Sequence, residues 1–584
     1  MTRIAVIDKE KCFPQKCGYT CIKVCPGVRM GDKTIEKGDK GFPVISEELC
    51  TGCGICVKKC PYGAISIINL PSELEKPLHQ YGVNEFRVYN IPTPKKGVVG
   101  LVGPNGIGKS TILKILAGQL VPNLGELKKG NWAKVLERYK GHEIQKYLEG
   151  VSNGQIKVAY KPQEVNRIPE VYKGTVGKML EKVDERKIAK KLMKELDIAG
   201  IWDKKLSEIS GGELQRVAII GTLAKKADFY FFDEPSSFLD IRQRMNVARV
   251  IRALGDQSSV FIVEHDLALL DYLTDYIYVL YGKPGAYGII SSLKESRSGI
   301  NEYLDGFLRA ENMRIRDHSI KFEVKPPGSE WKSKKSYSYG AFVKEYPSFE
   351  LKAEAGELRA GEVIGIFGAN AIGKSTYIKV LAGIEKPDEG DLHFNVRVSY
   401  KPQYINLEFD GSVIERIDKE KNLDRELFDL EIKKIVEDLF MKQVSALSGG
   451  ELQRVAIAIA LSRNCEVCLL DEPSAFLDIE QRFRLAHLIK RLTEKKEVTT
   501  LVVDHDIVFQ DLVSNRIMTF EGQPGVTGHA SKPMDMKDGM NRFLKGMDMT
   551  FRRDETSKRP RVNKPGSQKD TEQKEKGEYY YDLS

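Results

Sequence analysis

The sequence predicts an α/β protein: two P-loop nucleotide-binding domains behind a small, cysteine-bearing α+β head. Three observations carry this. GPNGIGKST begins at Gly103 and GANAIGKST at Gly368, and each lies between an apolar run and a helical one, the strand–loop–helix setting the motif requires. Every later landmark is also doubled: YKPQ at Tyr160 and Tyr400, ISGGELQRVAI at Ile209 and LSGGELQRVAI at Leu447, FFDEPSSFLDI at Phe231 and LLDEPSAFLDI at Leu469. Eight of the ten cysteines fall within residues 12–60 in metal-ligand spacing.

The bulk properties agree. A chain of 584 residues holds several domains, and 41% hydrophobic with 30% charged residues is ordinary for a globular protein. A net charge of +9 is a mild excess, compatible with an acidic partner. No run approaches 18 consecutive apolar residues, and MTRIAVIDKEKCF lacks the apolar core of a signal peptide, so a cytoplasmic protein without a membrane span is expected.

The head, residues 1–75, comes first. Cys50, Cys53, Cys56 and Cys60, followed by Pro61, fit C-x2-C-x2-C-x3-C-P, the bacterial ferredoxin run whose fourth cysteine ligates the other cluster. Three cysteines in seven residues plus CP favour iron–sulfur over zinc, whose sites usually show two well-separated pairs. The earlier run departs from that pattern: Cys12, Cys17, Cys21 and Cys25, then Pro26. By the crossover rule one [4Fe–4S] cluster takes Cys50, Cys53, Cys56 and Cys25, and the other Cys12, Cys17, Cys21 and Cys60. Cys465 and Cys468 lie apart, in an apolar run, and read as packed core thiols. A ferredoxin-like, two-cluster domain is therefore expected. With no flavin or dinucleotide fingerprint in the chain, its clusters read as staples that stiffen a short segment, with redox sensing as the other reading.

The two repeats follow, at residues 78–291 and 326–530. In the loops Gly103, Pro104, Asn105, Gly106, Ile107, Gly108, Lys109, Ser110 and Thr111, and Gly368, Ala369, Asn370, Ala371, Ile372, Gly373, Lys374, Ser375 and Thr376, the backbone amides can wrap phosphates. Lys109 and Lys374 reach the terminal phosphates, while Ser110 and Ser375 suit Mg²⁺. Asp233 and Asp471 end apolar strands and suit Mg²⁺ through its waters, with Gln163 and Gln403 of the YKPQ segments beside them. Glu234 and Glu472 are placed to polarise an attacking water. His265 and His505, repeated at matching distance, read as γ-phosphate sensors; a lone His there would read as structural. The Lys pair is offset by 265 residues and the Gln pair by 240, so the first copy carries about 25 extra residues between them. The surplus, about 128–152, shows helical spacing at Trp132, Val135, Leu136 and Tyr139, a break at Gly141, then Ile144, Tyr147 and Leu148. This helix–loop–helix is either a solvated decoration or a basic contact surface.

SGGE opening a helix in each copy gives a second anion-binding N-terminus beside each P-loop. This combination, over roughly residues 78–530, resembles the ATP-binding-cassette family. The resemblance implies two cassettes arranged head-to-tail as an internal pseudo-dimer, with each signature facing the other cassette's γ-phosphate. One ATP then lies between Lys109 and Ser448, Gly449, Gly450 and Glu451, the other between Lys374 and Ser210, Gly211, Gly212 and Glu213. It also implies D-loops at the seam through Asp240 and Asp478, and adenine stacking, for which Tyr81 with Phe86 and Tyr339 with Phe342 are the candidates.

The whole layout is similar to the class E ATP-binding-cassette family, the RNase L inhibitor homologues or ribosome-recycling ATPases of archaea and eukaryotes, and suggests an archaeal member. NEYLDGFLRAENMRIRD and NRFLKGMDMTFRRD match that family's hinges, here residues 292–325 and, together with the C-terminal tail, 531–584, with Arg314, Arg316, Arg552 and Arg553 along the cassette seam. The resemblance implies an ATP hydrolase using two ATP, Mg²⁺ and two [4Fe–4S] clusters. It implies splitting of ribosomes with a release factor or its Pelota-type rescue paralogue, then retention on the small subunit, with initiation factors as further partners. Other readings are an ATPase subunit of a membrane transporter, a class F translation factor and a redox-coupled ATPase; the cysteine head and the hinges weigh against the first two. The last residues, SKRPRVNKPGSQKDTEQKEKGEYYYDLS, predict a mobile stretch ending in tyrosines that dock back on the second repeat.

Overall fold

The computed structural model describes residues 3–38, 41–69, 76–322, 335–406 and 408–580. The expected boundary at 325–326 lies outside them. Each repeat folds into its own nine-stranded sheet, and the two have the same strand order. In the first lobe a parallel core runs Val158–Lys161, Phe229–Asp233, Ser259–Val263, Gly97–Val102, Tyr276–Lys283. Its central strands read as near-continuous apolar runs because helices cover both faces, and Val98, Val99 and Leu101 are fully buried. An edge formed by Tyr287–Ile290, Arg87–Tyr89 and His79–Gln80, with Lys294–Glu295 paired to the start of Tyr276–Lys283, completes the sheet. The second lobe repeats this with Val398–Lys401, Val467–Asp471, Thr499–Val503, Val363–Phe367 and Arg516–Gln523, then Thr527–Ala530, Phe349–Ala353 and Phe342–Tyr346, and with Met534–Asp535 paired to the start of Arg516–Gln523.

Register positions the chemistry. Asp233 pairs with Val263, and Val263 with Leu101, so three adjacent strands end level with one another. In the second lobe Asp471, Val503 and Ile366 are aligned in the same way. Crevices beyond the carboxyl ends of parallel strands are where open α/β sheets bind ligands.

The surplus segment forms helices Trp132–Arg138 and Gln145–Ser152. Val135, Tyr139, Ile144, Tyr147 and Leu148 join the core under the first P-loop helix, and the Tyr147 hydroxyl donates to the Leu116 carbonyl at 2.6 Å. Lys128, Lys129, Lys134, Lys140 and Lys146 remain exposed.

The head pairs Arg3–Ile7 with Ile65–Asn69 and Ile35–Lys37 with Pro43–Ile45, while helices Thr20–Val24 and Ile55–Lys59 pack together. It docks on the first lobe's edge. Val6 and Ile68 pack with Tyr89, Ala286 and Ile289, Arg87 pairs with Glu47, and Lys9 with Glu85.

The hinges tie the lobes. Asp271 of the first lobe pairs with Arg559 and Arg561, and Asp511 of the second with Arg553. Of the four predicted hinge arginines, Arg316 and Arg553 are buried structural groups; Arg316 donates to the Tyr303 and Leu304 carbonyls and lies 3.9 Å from Glu480. Arg314 is exposed and Arg552 half-buried.

The tail departs from expectation. Its middle forms a helix, Gln568–Lys576, capped by Ser567. Buried polar pairs fasten it: Thr550 to Asp570 at 2.6 Å, and Asn563 to Gln573. Composition hid this because polar side chains, not apolar ones, hold the segment. Tyr580 does dock, 2% exposed, with its hydroxyl on Asp511 and Arg553; residues from 581 onward lie outside the described ones.

Candidate active sites

Each P-loop leaves a buried strand and turns into a helix through a glycine at positive φ, Gly108 at 98° and Gly373 at 96°, where a β-carbon would be strained. The same two glycines meet aromatic rings. A β-carbon at Gly108 would lie 2.8 Å from Phe86, and one at Gly373 2.8 Å from Phe349. Lys109 and Lys374 are buried, each donating to two carbonyls of its own loop, Gly103 and Pro104, and Gly368 and Ala369. Burial lowers both lysines from their ordinary range, a cost that an anionic guest beside them would offset.

Asp233 and Asp471 are 1% exposed, and burial pushes both carboxyls up. One oxygen of Asp233 and both of Asp471 have no hydrogen-bond partner. Ser110 lies beside the first and Ser375 beside the second. Orphaned hard oxygens next to a hydroxyl fit Mg²⁺.

Glu234 and Glu472 occupy the left-handed region, φ 46° and 48°, and the fold over-determines that strain. Gln163 and Gln403 donate to their carboxylates at 2.9 and 2.7 Å. The Glu234 carbonyl accepts from Lys161 and Gln215, that of Glu472 from Lys401 and Gln453. His265 and His505 stand 3.5 and 3.6 Å from these carboxylates, and both nitrogens of each ring are buried without a hydrogen bond. Burial, then the Asp471 and Asp504 carboxylates, push Glu472 up to about 7. At Glu234 burial acts the same way, but the His265 contact and Lys109 outweigh it, bringing the group down to about 2.

The signatures cap helices Gly211–Leu223 and Gly449–Ser462. Ser210 and Ser448 exchange bonds with Glu213 and Glu451, leaving Gly211 and Gly449 exposed at the N-termini. Across the seam, Asp478 accepts the Asn105 amide and Asp240 the Asn370 amide, both at 2.9 Å. Arg244 and Arg482 each pair within their own lobe and donate to the opposite lobe's His505 or His265 carbonyl.

One expectation fails. Tyr339 and Phe342 are 2% exposed and pack on Tyr377 inside the second lobe, so no base can reach them. The counterparts of Tyr81 and Phe86 are Tyr346 and Phe349: Tyr81 reaches Thr111 at 3.0 Å, and Tyr346 lies beside Thr376. Lys161, Lys401, Gln215, Gln453, Arg244 and Arg482 went unassigned in the sequence, although each sits in a doubled segment.

In the head, Cys12, Cys17, Cys21 and Cys60 line one cavity. Burial, then Cys21, Cys60 and Cys17, push the Cys12 thiol up to about 11. Burial, then Cys50 and Cys53, do the same at Cys56. Thiols crowded against one another fit a multinuclear cluster, which relieves their repulsion. Cys25 is buried in the same small core as Cys56. Among the described residues no three Cys, His, Asp or Glu side chains converge as a single metal ion would require. Cys468 is buried in the second lobe's core, with Cys465 packed against it.

Comparison with known proteins agrees part by part. An "ABC transporter" family model matches residues 88–237 and 351–475, a "Possible Fer4-like domain in RNase L inhibitor, RLI" residues 2–33, and a "4Fe-4S binding domain" residues 43–66. An uncharacterized ABC transporter ATP-binding protein of Methanocaldococcus jannaschii is 52% identical over 99% of this chain and 97% of its own. Translation initiation factor RLI1 of Saccharomyces cerevisiae is 41% identical over 99% and 98%. A solved "Model of ribosome-bound archaeal Pelota and ABCE1" shares 51% identity with TM-score 0.92 over 99% of both chains. A complex of archaeal ribosomal stalk protein aP1 with the archaeal ribosome recycling factor aABCE1 matches 87% of this chain and 99% of that one, at 50% identity and TM-score 0.82. No helix among the described residues is long and apolar enough to cross a membrane. Iron–sulfur head, duplicated cassettes and full-length kinship agree: the chain belongs to the RNase L inhibitor family of ATP-binding-cassette ATP hydrolases.

Proposed function

We propose that this chain splits ribosomes into subunits, using ATP-driven closure of its two lobes to swing the cluster domain. The observation that carries this is the likeness, through head, lobes and hinges alike, to a protein described as ribosome-bound beside Pelota. Site 1 joins Lys109, Ser110, Gln163, Asp233, Glu234 and His265 to Ser448, Gly449 and Gly450. Site 2 joins Lys374, Ser375, Gln403, Asp471, Glu472 and His505 to Ser210, Gly211 and Gly212. The existing D-loop contacts to Asn105 and Asn370 support this head-to-tail pairing. Tyr81 with Phe86, and Tyr346 with Phe349, receive the adenines.

Glu234 and Glu472 orient and polarise water against the γ-phosphate, and His265 and His505 register that phosphate. Ser110 with Asp233, and Ser375 with Asp471, would hold Mg²⁺, which when bound would supply positive charge against the developing phosphate charge. Cys12, Cys17, Cys21 and Cys60 hold one [4Fe–4S] cluster, and Cys25, Cys50, Cys53 and Cys56 the other; the clusters supply rigidity. Reversing an open/closed ratio from 1:99 to 99:1 needs about 5.5 kcal/mol, which two bridging nucleotides can share. The partners are a release factor or its rescue paralogue, both subunits before splitting, and the small subunit with initiation factors afterwards, all in the cytoplasm.

The test is subunit splitting by purified protein with ribosomes, ATP and a release factor, using Glu234→Gln and Glu472→Gln separately. Each variant should bind ATP and favour closure while losing roughly 100-fold or more of hydrolysis at its own site. Unchanged hydrolysis in both would remove the catalytic assignment; intact hydrolysis without splitting would remove the ribosomal one.

A further inference from the structure

The segments that carry the two histidines differ by one methylene: VEHD in the first lobe, VDHD in the second. In the second lobe Asp504 is 3% exposed and fully engaged. It accepts the Ser474 hydroxyl at 2.8 Å, the Ser474 amide at 3.0 Å and the Asp506 amide at 2.9 Å. Ser474 opens the D-loop that crosses to the first lobe, where Asp478 holds the Asn105 amide and the Phe476 carbonyl accepts the Asn105 side chain at 3.3 Å. An unbroken line of bonded groups therefore runs from the segment bearing His505 of site 2 to the P-loop of site 1.

The first lobe lacks this line. Glu264 is equally buried, but its longer side chain folds back: one oxygen accepts the His265 and Asp266 amides at 2.7 and 3.1 Å, and the other has no partner. Among the described residues no bond joins Glu264 to Ser236, the counterpart of Ser474.

We propose that Asp504 is a positioning residue for hydrolysis in site 1, coupling the site 2 histidine segment to the D-loop that completes site 1, and that Glu264 provides no matching link in the other direction. This rests on the head-to-tail site assignment above. A buried carboxylate with three good bonds resists relative movement of the segments it joins, whereas a loop without such a tie can shift alone. Coupling of binding between two sites is reciprocal, but coupling of turnover need not be, so the asymmetry belongs in rates.

The test uses the full-length, cluster-bearing protein and measures ATP turnover in two backgrounds. Glu472→Gln leaves site 1 chemistry alone, and Glu234→Gln leaves site 2. Asp504→Glu and, separately, Ser474→Ala are added to each. Both additions are expected to slow site 1 about tenfold, within the usual range of intersite coupling, and to leave site 2 near its starting rate although Asp504 lies in the lobe that supplies Glu472. Equal losses at both sites, loss confined to site 2, or no loss at all would overturn the proposal; the first two are what a merely structural role gives. If the Gln substitutions themselves fail to slow hydrolysis, the site assignment falls and takes this inference with it. If they act and the additions do not discriminate, only this inference falls.

Discussion

Asn84 is the side chain on which docking of the cluster domain turns. It lies on the first lobe, yet it is 1% exposed because it is plugged into the head. Its amide oxygen accepts the Ile45 amide at 2.8 Å, and its nitrogen donates to the Ala5 and Ile45 carbonyls at 3.0 and 3.1 Å. Its own carbonyl accepts the Ile7 amide at 3.0 Å. One residue thus staples two strands of the head to the lobe from a left-handed backbone, φ 57°, that asparagine tolerates well. Asn84→Ala deletes three hydrogen bonds and strands the Ile45 amide. At about 1 kcal/mol each the loss is about 3 kcal/mol, roughly 150-fold on the docking equilibrium. Hydrogen exchange at the Ile45 amide, in nucleotide-free protein, should accelerate by about that factor while amides in the strand Gly97–Val102 keep their protection. Exchange at Ile45 changing less than about fivefold would show that the apolar contact of Val6 and Ile68, with the flanking ion pairs, suffices. The same energy opposes any swing of the head, so the variant should also need less nucleotide to release it.

Other outcomes follow from the same contacts. Phe342→Ala should destabilise the second lobe by about 3–5 kcal/mol, whereas Tyr346→Ala should leave the melt unchanged and weaken nucleotide binding about tenfold at site 2, read by calorimetry in the Glu472→Gln background. Asp554 is acid-sensitive. Burial alone would raise its carboxyl, but the Ser557 amide, Arg559 and Arg297 outweigh it and hold it below the ordinary 3.8. Such a group stabilises the fold above about pH 4 and loses that contribution as pH falls toward its folded value, so the second hinge should loosen in acid, and Asp554→Asn should lack that step in a pH series of limited proteolysis. Removing iron with a chelator should unfold the head, whose apolar core is small, and leave ATP binding by the lobes intact; a head that keeps its exchange protection would argue against clusters as staples.

The sequence alone carried whatever depends on residue type at fixed spacing. Both P-loops, the Asp–Glu pairs, the histidines, the signatures and the cysteine runs are short segments whose chemistry is local, and duplication separated them from coincidence. The surplus helices were legible for a similar reason, since apolar residues at helical spacing need only one face to bury. Tertiary structure decided everything that joins residues far apart in the chain. It buried Tyr339 and left Tyr346 exposed, because exposure depends on which side of a strand faces the core. It set Lys161 and Gln215 under the Glu234 carbonyl, fastened a polar tail through Asp570 and Gln573, and plugged Asn84 into the head. A hydrogen bond is a distance and an angle between two groups, and spacing along a chain fixes neither once the chain has turned.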